Sequence, residues 1–373
     1  MAEKFSLKDH LFNDQTVARL AGEFAAGIAG FDADRFAAEA LAGFPERELM
    51  ARMEWMADCL EGQLASDFPA MADQLQAALP PRLDVSKTDD DFGHFIHAMP
   101  GILAVRHGLE TDRARAMTLL YEATQRFSME FYIRAFINRW PDETMAQLAD
   151  WSGDKNYHVR RLVSEGTRPR LPWAQNVTLT HDQTLPLLDR LYADPTRYVT
   201  RSVANHLNDL SKIVPDEVLA RFERWQDEGR QSADELAWMR RHALRTLIKQ
   251  GHEGAMAALG YRADAPVTAQ ILLGQNTVKI DDALAFDVVL NSTESAPVLV
   301  DYRVDFMRAG GKRAEKVFKL KVAEVKAGKP LKIKKSHRFK GNATTFRLFE
   351  GLHRITVQVN GRDVATASFD LVT

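Results

Sequence analysis

The sequence predicts two regions of different fold class: an all-α array of helical repeats over residues 1–262, followed by an all-β sandwich over residues 268–373. Three observations support this division. Apolar residues recur three and four positions apart in the first region, and they alternate with polar residues in the second. The first region also overlays on itself at a constant offset of forty residues, which indicates internal repeats.

The first region is expected to be helical almost throughout. Stretches such as VARLAGEFAAGIAG and RARAMTLLYEATQRF place their apolar residues at helical spacing. The interruptions fall at proline and glycine, for example at Pro80-Pro81 and Pro100-Gly101, which end helices. The acidic run from Asp89 to Asp91 is expected to cap a helix or to face solvent.

The repeat is clearest in three segments, YHVRRLVSEG, RYVTRSVANH and ELAWMRRHAL. When they are superposed, they share apolar residues at the stacking positions and an arginine at one further position, namely Arg161, Arg201 and Arg241. A period of forty is typical of HEAT-like repeats, whose paired helices stack into a superhelix with a concave face. The first region is therefore predicted to be a HEAT-like superhelix.

The recurrent arginine has two interpretations. It forms ion pairs within each repeat, for example with Asp154 or Asp194 ahead of a helix, or it forms a row that contacts phosphate groups. Additional basic residues between positions 155 and 170, where Glu165 is the sole acid, favour the phosphate row. These basic residues are Lys155, Arg160, Arg161, Arg168 and Arg170.

Charge and cysteine content limit the classes of function. The formal net charge is −2, but from Val267 onward eighteen Lys and Arg face eleven Asp and Glu, a balance of +7, so residues 1–266 carry −9. Contact of the first region with nucleic acid therefore needs a local basic face.

The single cysteine, Cys59, excludes an internal disulfide and suits a reducing compartment. The charged N-terminal stretch lacks the apolar core of a secretory signal, and no window approaches membrane-spanning length, so a cytoplasmic location is expected.

The second region contains seven windows with strand-like alternation, from ILLGQNTVKI to VATASFDLV. Seven short strands in roughly 105 residues predict an antiparallel sandwich of immunoglobulin-like type. Between Arg303 and Arg347, fifteen Lys and Arg face three Asp and Glu. The lysines of KLKVAEVKAGKPLKIKKSHRFKG are expected on one strand face, where they protect an edge strand or contact phosphates. The size of the imbalance favours phosphate contact, by Lys332, Lys334 and Lys335.

Residues that carry chemistry occur in three clusters of the first region. The sequence lacks the glycine-rich phosphate loops, the GxSxG elbow and the HExxH helix, so no cofactor and no metal are predicted. In RFSMEFYIRAFI, Glu130 and Arg134 are spaced one helical turn apart. In RRLVSEGTRPRLPW, Glu165 ends a helix and is followed by a rigid basic turn and Trp173.

The third cluster, SVANHLNDLSK, places Asn205 at the register position of Glu165, with Asp209 one turn later. Glu165 and Asn205 should therefore project in the same direction from adjacent repeats. On spacing alone, the carboxylates of these clusters either take part in catalysis or only pair with arginines, as Glu130 would with Arg134.

The strings SEGTRPRLPW, RFxxEFxIRxFI and SVANHLND resemble the AlkC branch of bacterial DNA-alkylation-repair glycosylases, which are relatives of AlkD. The resemblance covers roughly residues 1–260, and the second region resembles the immunoglobulin-like extension of some members. It implies hydrolysis of the N-glycosidic bond of cationic N-alkylated bases, especially 3-methyladenine, in duplex DNA and without base flipping. One departure concerns the helix of EFYIRAF, where AlkD uses an aspartate and this chain has Arg134.

The resemblance implies roles for the candidate residues. An alkylated purine is already a cationic leaving group, so the enzyme needs negative charge near an oxocarbenium-like sugar and a positioned water. The catalytic candidates are Glu130, Glu165 and Asp209. The candidate DNA contacts are Arg134, Lys155, Arg160, Arg161, Arg168, Arg170, Trp173, Arg201, Asn205, Lys332, Lys334 and Lys335. A cation–π contact of Trp173 with the lesion or sugar contributes about 0.5–2 kcal/mol.

The expected protein is a monofunctional glycosylase, because no lysine is implicated as a Schiff-base nucleophile that would cleave the strand. Its expected partner is double-stranded DNA with alkylated bases, and it is expected to be a monomer that acts at the bacterial nucleoid without contacting a membrane. Two alternatives remain at this point. One is a non-catalytic HEAT-like scaffold that binds protein through its concave face, and the other is a DNA-damage-binding protein without activity.

Overall fold

The structure is a computed structural model that describes residues 6–89, 92–341 and 347–373. These residues form two compact units. One comprises the residues up to Leu210 together with Trp225–His242, and the other comprises Ser211–Arg224 and Ala243–Thr373. Asp90 and Asp91 of the acidic run lie outside the described residues.

The predicted fold class is confirmed, since the described chain is helical up to Ala257 and its strands begin at Val267. The α-helices are α1 (Leu7–Leu11), α2 (Asp14–Gly27), α3 (Ala33–Gly43), α4 (Leu49–Glu61), α5 (Phe68–Ala77), α6 (Met99–Leu103), α7 (Leu109–Thr111), α8 (Arg113–Thr124), α9 (Ile133–Arg139), α10 (Pro141–Trp151), α11 (Tyr157–Gly166), α12 (His181–Leu191), α13 (Arg197–Leu210), α14 (Pro215–Glu228), α15 (Ala233–Ala243), α16 (Arg245–Lys249) and α17 (Glu253–Ala257). A 3-10 turn at Phe95–Ala98 precedes α6, and a π-helical turn at Ala104–Gly108 joins α6 to α7. Among the described helices, none has both the length and the apolar character that crossing a membrane requires.

The forty-residue register corresponds to the helices α11, α13 and α15. Its apolar positions Val159, Val199 and Met239 are fully buried, as the stacking of repeats requires. The repeat was visible in the sequence because stacking makes the same demand on each successive helix.

The turns before α11 and α13 are closed in the same way. Asp154 Oδ1 accepts a hydrogen bond from the Asn156 N–H at 2.7 Å, and Asp194 Oδ1 accepts one from the Thr196 N–H at 2.9 Å. Arg160 also pairs with Asp194, with 2.6 Å between Nε and Oδ2. The ion pair with the aspartate ahead of a helix is therefore made by Arg160, the neighbour of the recurrent arginine.

The long loop between α5 and the 3-10 turn crosses the starts of two repeat helices. The Lys87 carbonyl accepts a hydrogen bond from the Tyr157 hydroxyl, at the start of α11, at 2.6 Å. The next carbonyl, of Thr88, accepts one from the Tyr198 N–H, at the start of α13, at 3.0 Å. These bonds hold the loop against the helices that carry the recurrent arginine.

The end of this loop lies against the turn that precedes α9. The Phe92 carbonyl accepts a hydrogen bond from the Ser128 N–H at 3.2 Å, and Gly93 forms a β-bridge with Phe127. Gly93 has a φ of 82°, and a Cβ at this position would lie 1.9 Å from the Arg126 carbonyl oxygen. Only glycine fits this close approach of two backbones.

The second region is a sandwich of two sheets. Its strands are β1 (Val267–Leu273), β2 (Thr277–Lys279), β3 (Ala283–Ser292), β4 (Ala296–Met307), β5 (Arg313–Val325), β6 (Leu331–Arg338), β7 (Gly351–Val359) and β8 (Arg362–Val372). One sheet has the order β1-β3-β6 and the other β2-β8-β7-β4-β5, and only the β2–β8 pair is parallel. Inward-facing residues such as Phe286, Val300, Tyr302 and Ile355 form the core between the sheets.

Two sequence expectations about the sandwich were wrong. The first predicted window, residues 271–280, holds the end of β1 and all of β2, because the chain turns at Gly274. The lysines of β6 do not share one face either, since side chains alternate along a strand. Lys332 and Lys334 are exposed, whereas Lys335 is half-buried on the opposite face of β6.

Candidate active site

Four segments of the helical unit enclose a cavity of about 280 Å³. The segments are the end of the long loop with the start of the 3-10 turn, the turn before α9, the C-terminal half of α11 and the loop that follows α11. The cavity wall is mostly aromatic and apolar, formed by Phe92, Phe95, Phe127, Phe131, Leu171, Pro172 and Trp173. Its polar side chains are Ser128, Glu130, Arg161, Glu165 and Arg168. A charged cluster thus adjoins an aromatic and apolar wall within one cavity.

Glu130 lies in the turn before α9, and its side chain is 15% exposed. Its Oε2 accepts hydrogen bonds from the Ser128 hydroxyl at 2.6 Å and from the Arg161 guanidinium. Arg161 also donates to the Ser128 hydroxyl at 2.7 Å and stacks over the Tyr198 ring, 4.7 Å from its centroid. These contacts hold the Glu130 carboxylate in one orientation at the cavity wall.

Glu165 lies in the last turn of α11, one residue before its end, and is only 4% exposed. Its Oε1 accepts a hydrogen bond from Arg168, and its Oε2 accepts one from the Ser202 hydroxyl of α13 at 2.6 Å. Arg161 Nη2 lies 3.7 Å from the same Oε2. Burial opposes ionisation of Glu165, but Arg161, Arg168 and the Ser202 hydroxyl outweigh it and hold the pKa of the carboxyl below its usual range. Glu165 is therefore an anion at neutral pH.

Arg168 connects α11 to α13. Its Nη2 lies 2.9 Å from Asp209 Oδ2, while its Nη1 donates to Glu165. Asp209 is 6% exposed, so this is a buried ion pair. The three predicted catalytic carboxylates, Glu130, Glu165 and Asp209, thus belong to one network that runs through Arg161 and Arg168. Each carboxylate is bonded to a guanidinium, an arrangement that does not suit ligation of a divalent cation.

Arg134 lies in α9 and is fully buried, so it does not reach the surface as a phosphate contact would require. Glu130 does not pair with it either; among the described contacts, Glu130 pairs with Arg161. The Arg134 guanidinium instead donates to the backbone carbonyls of Gly166 at 2.9 Å, Arg168 at 2.8 Å and Gln175 at 2.5 Å. Burial, with the neighbouring Arg168, lowers the pKa of Arg134 to about 10, so it is still a cation at neutral pH.

Trp173 lies on the loop after α11, at the edge of the cavity. Its side chain is 63% exposed, and its φ is 65°, in the left-handed region that non-glycine residues rarely adopt. An exposed aromatic ring held by a strained backbone is a feature of binding sites. Trp173 is therefore placed where it can stack on a ligand in the cavity.

The other predicted DNA contacts are distributed differently. Lys155, just before the start of α11, and Arg170, in the loop after its end, are both exposed. Arg201 pairs with Asp89, and the Asn205 amide oxygen accepts a hydrogen bond from His242 Nε2 at 2.8 Å. Asn205, although it shares the register of Glu165, is not among the residues that line the cavity.

Sequence reasoning missed Ser128, Ser202 and the phenylalanines of the cavity wall. Ser128 and Phe131 flank Glu130 in RFSMEFYIRAFI, so their position beside a candidate carboxylate was a usable signal. Ser202 had a weaker signal, its place within one turn of the register position shared by Glu165 and Asn205. Phe92 and Phe95 come from a distant loop, which no local pattern connects with this site.

Comparison with solved structures identifies the family. The structure of the alkylpurine DNA glycosylase AlkC of Pseudomonas fluorescens, bound to DNA that contains an abasic-site analogue, is similar to this chain with a TM-score of 0.87. The two are 33% identical, and the similarity covers 99% of this chain and 100% of the other. This chain belongs to the AlkC family. The resemblance predicted from the sequence is thereby confirmed.

A further AlkC-family relative of this chain is the uncharacterized protein YhaZ of Bacillus subtilis (strain 168). It is 30% identical over 360 residues, which cover 94% of this chain and 95% of YhaZ. The family model described as the C-terminal Ig-like domain of YhaZ matches residues 267–373. The sandwich of this AlkC-family chain is thus of the predicted immunoglobulin-like type.

Proposed function

We propose that this chain is a monofunctional DNA glycosylase of the 3-methyladenine type, which hydrolyses the N-glycosidic bond of cationic N-alkylated bases in duplex DNA. The observation that carries the proposal is the orientation of Glu130 by Ser128 and Arg161 at an aromatic cavity. A family relative of known structure is an alkylpurine DNA glycosylase bound to DNA that contains an abasic-site analogue. An abasic site is what removal of a base leaves behind, so this relative supports the same chemistry.

The proposed chemistry needs little acid catalysis. Alkylation gives the base a positive charge, so it leaves as a neutral molecule and the positive charge develops on the deoxyribose. A fixed carboxylate near the sugar stabilises that charge and orients the attacking water. Glu130 suits this role because it lies at the cavity wall with its orientation fixed on one side. The aromatic wall suits a cationic base or sugar, which is attracted to the faces of aromatic rings.

Glu165 and Asp209 are assigned a supporting role in this proposal. Both are nearly fully buried, and both bind Arg168, while Glu165 also lies beside Arg161. They fix the two guanidiniums that face the cavity and add to the negative charge beneath the sugar. Removing either should displace an arginine as well as remove an anion, because a buried charge that loses its partner is strongly destabilised.

The proposed phosphate contacts are the exposed cations. Lys155 and Arg170 are available near the site, and Lys332 and Lys334 are available on the sandwich. The ion pair of Arg160 with Asp194 and the burial of Arg134 assign those two arginines to the interior of the helical unit. Contacts to phosphates are blind to sequence and weaken with salt.

A second candidate function is recognition of damaged DNA without catalysis. The specific observation in its favour is that every carboxylate of the network is paired with an arginine, which would be the case if the carboxylates only oriented arginines toward DNA. One assay separates the two functions. Methylated duplex DNA is incubated with excess protein, and the released bases are separated and quantified against a protein-free control.

For the glycosylase, Glu130→Gln should slow base release about 100-fold, since it removes the charge that opposes the developing cation. The amide still accepts hydrogen bonds from Ser128 and Arg161, so the affinity for methylated duplex should stay nearly unchanged in a gel-shift titration. Glu143→Gln, an exposed substitution at the start of α10, is the control and should release bases at the wild-type rate. Wild-type release no faster than the spontaneous rate would refute the glycosylase assignment.

A further inference from the structure

Arg134 is the one buried cation of this site whose hydrogen bonds go to backbone oxygens and not, among the described residues, to a carboxylate. Burying a guanidinium costs free energy unless its donors are satisfied and opposite charges lie near. Its Nη2 is buried without a hydrogen-bond partner among the described residues. A leucine or methionine would avoid the cost of burying the charge but would leave three carbonyls without this donor, so the guanidinium is explained by the bonds it makes.

The carbonyls that Arg134 binds belong to one loop. Gly166 ends α11, and Arg168 and Gln175 lie on the loop that follows. Within that loop the described backbone hydrogen bonds are long or local, from the Arg168 N–H to the Glu165 carbonyl at 3.4 Å and from the Ala174 N–H to the Leu171 carbonyl at 3.2 Å. Farther along, Asn138 of α9 donates to the Asn176 carbonyl at 2.8 Å and accepts from the Thr178 N–H at 3.1 Å. The part of the loop between Gly166 and Gln175 depends on the Arg134 side chain for much of its conformation.

The same loop supplies two residues of the cavity. Arg168 reaches from it to Glu165 and Asp209, and Trp173 stands at the cavity edge with its backbone in the left-handed region. A left-handed backbone at tryptophan persists only where surrounding contacts impose it. The Arg134 bond to the Gln175 carbonyl, two residues beyond Trp173, is one such contact.

Arg134 also completes the charge balance of the site. Ionisable groups from four neighbouring segments lie around it. They are Glu130 in the turn before α9, Arg161 and Glu165 in α11, Arg168 in the loop, and His206 and Asp209 in α13. Burial lowers the pKa of His206 to about 4, so this imidazole is neutral at pH 7. Three carboxylates then face three guanidiniums, and without Arg134 the cluster would carry a net negative charge.

We propose that Arg134 is a positioning residue of this site, which holds the loop that carries Arg168 and Trp173 and balances the negative charge of the site carboxylates. The charge role is tested through the rate of base release and therefore rests on the proposed glycosylase function. The loop-holding role is tested without any activity. The two roles are separable because lysine preserves the charge but cannot bond three carbonyls in the plane of a guanidinium.

The experiment compares wild-type protein with Arg134→Lys and Arg134→Gln in the full chain. Order of the loop is measured by trypsin, which cleaves after the exposed Arg170 but not after Arg168, because Pro169 follows it. Both variants should be cleaved after Arg170 about tenfold faster than wild type, since both lose bonds to the loop. Arg170→Gln serves to identify the product, because it removes that cleavage site.

The rate of single-turnover base release, measured across a range of pH, tests the effect of the Arg134 charge. Both variants should be slower, by about 100-fold for Arg134→Gln, because the loop residues lose their alignment. Loss of the neighbouring cation raises the pKa of Glu165, so the acid limb of the Arg134→Gln profile should move to higher pH by about one unit. Arg134→Lys retains the cation and should keep the acid limb of the wild type.

The outcomes decide the inference whether or not the proposed function holds. If wild-type protein releases no base, the glycosylase assignment fails, and equal tryptic cleavage in all three proteins would separately overturn the loop-holding role. If base is released, an unshifted acid limb in Arg134→Gln overturns the charge role. Circular dichroism melting accompanies each measurement, and Arg134→Lys remains informative if Arg134→Gln does not fold.

Discussion

At the scale of single residues, Asp301 is the clearest case of a side chain whose environment opposes its charge. It lies on β4 where the pairing with β5 shifts register, and it is only 6% exposed. Burial raises its pKa from 3.8 to about 6, against the opposing effect of Lys319 and Lys249. The folded protein therefore retains a proton that the unfolded chain has lost over this pH range.

Asp301→Asn should stabilise the protein at neutral pH. Because the folded pKa lies above the unfolded value, the carboxyl's contribution is fully present below pH 3.8 and is lost as pH rises through about 6. The neutral amide avoids that loss of stability, which amounts to about 3 kcal/mol for a shift of this size. Urea unfolding at about pH 8 and about pH 4 measures it. The gain should vanish at the lower pH, and the exposed control Asp282→Asn should show no gain at either.

The sequence identified the residue types of the site better than their partners. Glu130 and Arg134 are four apart, but the rule for such pairs requires both residues in one helix, and α9 begins only at Ile133. Arg134 faces a loop that is distant in the sequence, so its burial had no local signal. The shared network of Glu130, Glu165 and Asp209 needs the packing of α11 on α13, which the register indicated but did not detail.

At the scale of elements, the junction of the long loop with the turn before α9 depends on Gly93. A Cβ there would contact the Arg126 carbonyl carbon at 2.9 Å and its oxygen at a shorter distance still, and φ is positive. Gly93→Ala should therefore destabilise the protein by about 2 kcal/mol and displace Phe92 from the cavity. Urea unfolding measures the first effect.

Gly22→Ala is the matched control, since Gly22 lies in α2 and, apart from its chain neighbours and the backbone of its own helix, no atom of the described residues is within 4 Å of its missing Cβ. This substitution should raise the stability by about 0.5–1 kcal/mol, because alanine favours a helix over glycine. A Gly93→Ala protein as stable as Gly22→Ala would show that the two backbones separate at little cost.

Helices and strands were predictable from the sequence where the same packing requirement repeats along the chain. The stacking of α11, α13 and α15 fixes the same apolar positions every forty residues, and alternating burial marks strands such as β3. The long loop had no such signal, because it is held by backbone carbonyls of Lys87 and Thr88 that any residue could supply. The break at Gly274 was missed because the alternation continues on both sides of it.

At the scale of the whole molecule, positive charge is concentrated in the sandwich. Its edge strands β5 and β6 carry exposed lysines, including Lys319, Lys321, Lys332 and Lys334. Phe318, Leu320 and Ile333 pack on the shared core, so the lysines between them point outward, Lys319 and Lys321 from the five-stranded sheet and Lys332 and Lys334 from the three-stranded sheet. Each of these outer faces is expected to bind phosphates without reading base sequence.

The double substitution of Lys332 and Lys334 by glutamine should weaken binding to undamaged duplex DNA. It should also reduce the slope of log affinity against log salt by about 0.9 for each phosphate contact that is lost. Lys335→Gln is the control, because this lysine shares the strand but points to the opposite, half-buried face. Fluorescence anisotropy titrations over a range of salt concentrations measure both. An unchanged slope in the double variant would mean that these lysines do not contact DNA.

The balance of three carboxylates and three guanidiniums in the site has a consequence for how a lesion is found. Opposite charges in equal number produce a field that falls off within a few ångströms, so the site itself exerts little pull on distant DNA. Under the proposed function, encounter and retention depend on cations elsewhere on the surface, while the barrier to bond cleavage depends on the buried cluster. The rate of finding a lesion and the rate of bond cleavage can therefore be changed independently. A surface mutation that changes the residence time on DNA need not alter the turnover at a lesion.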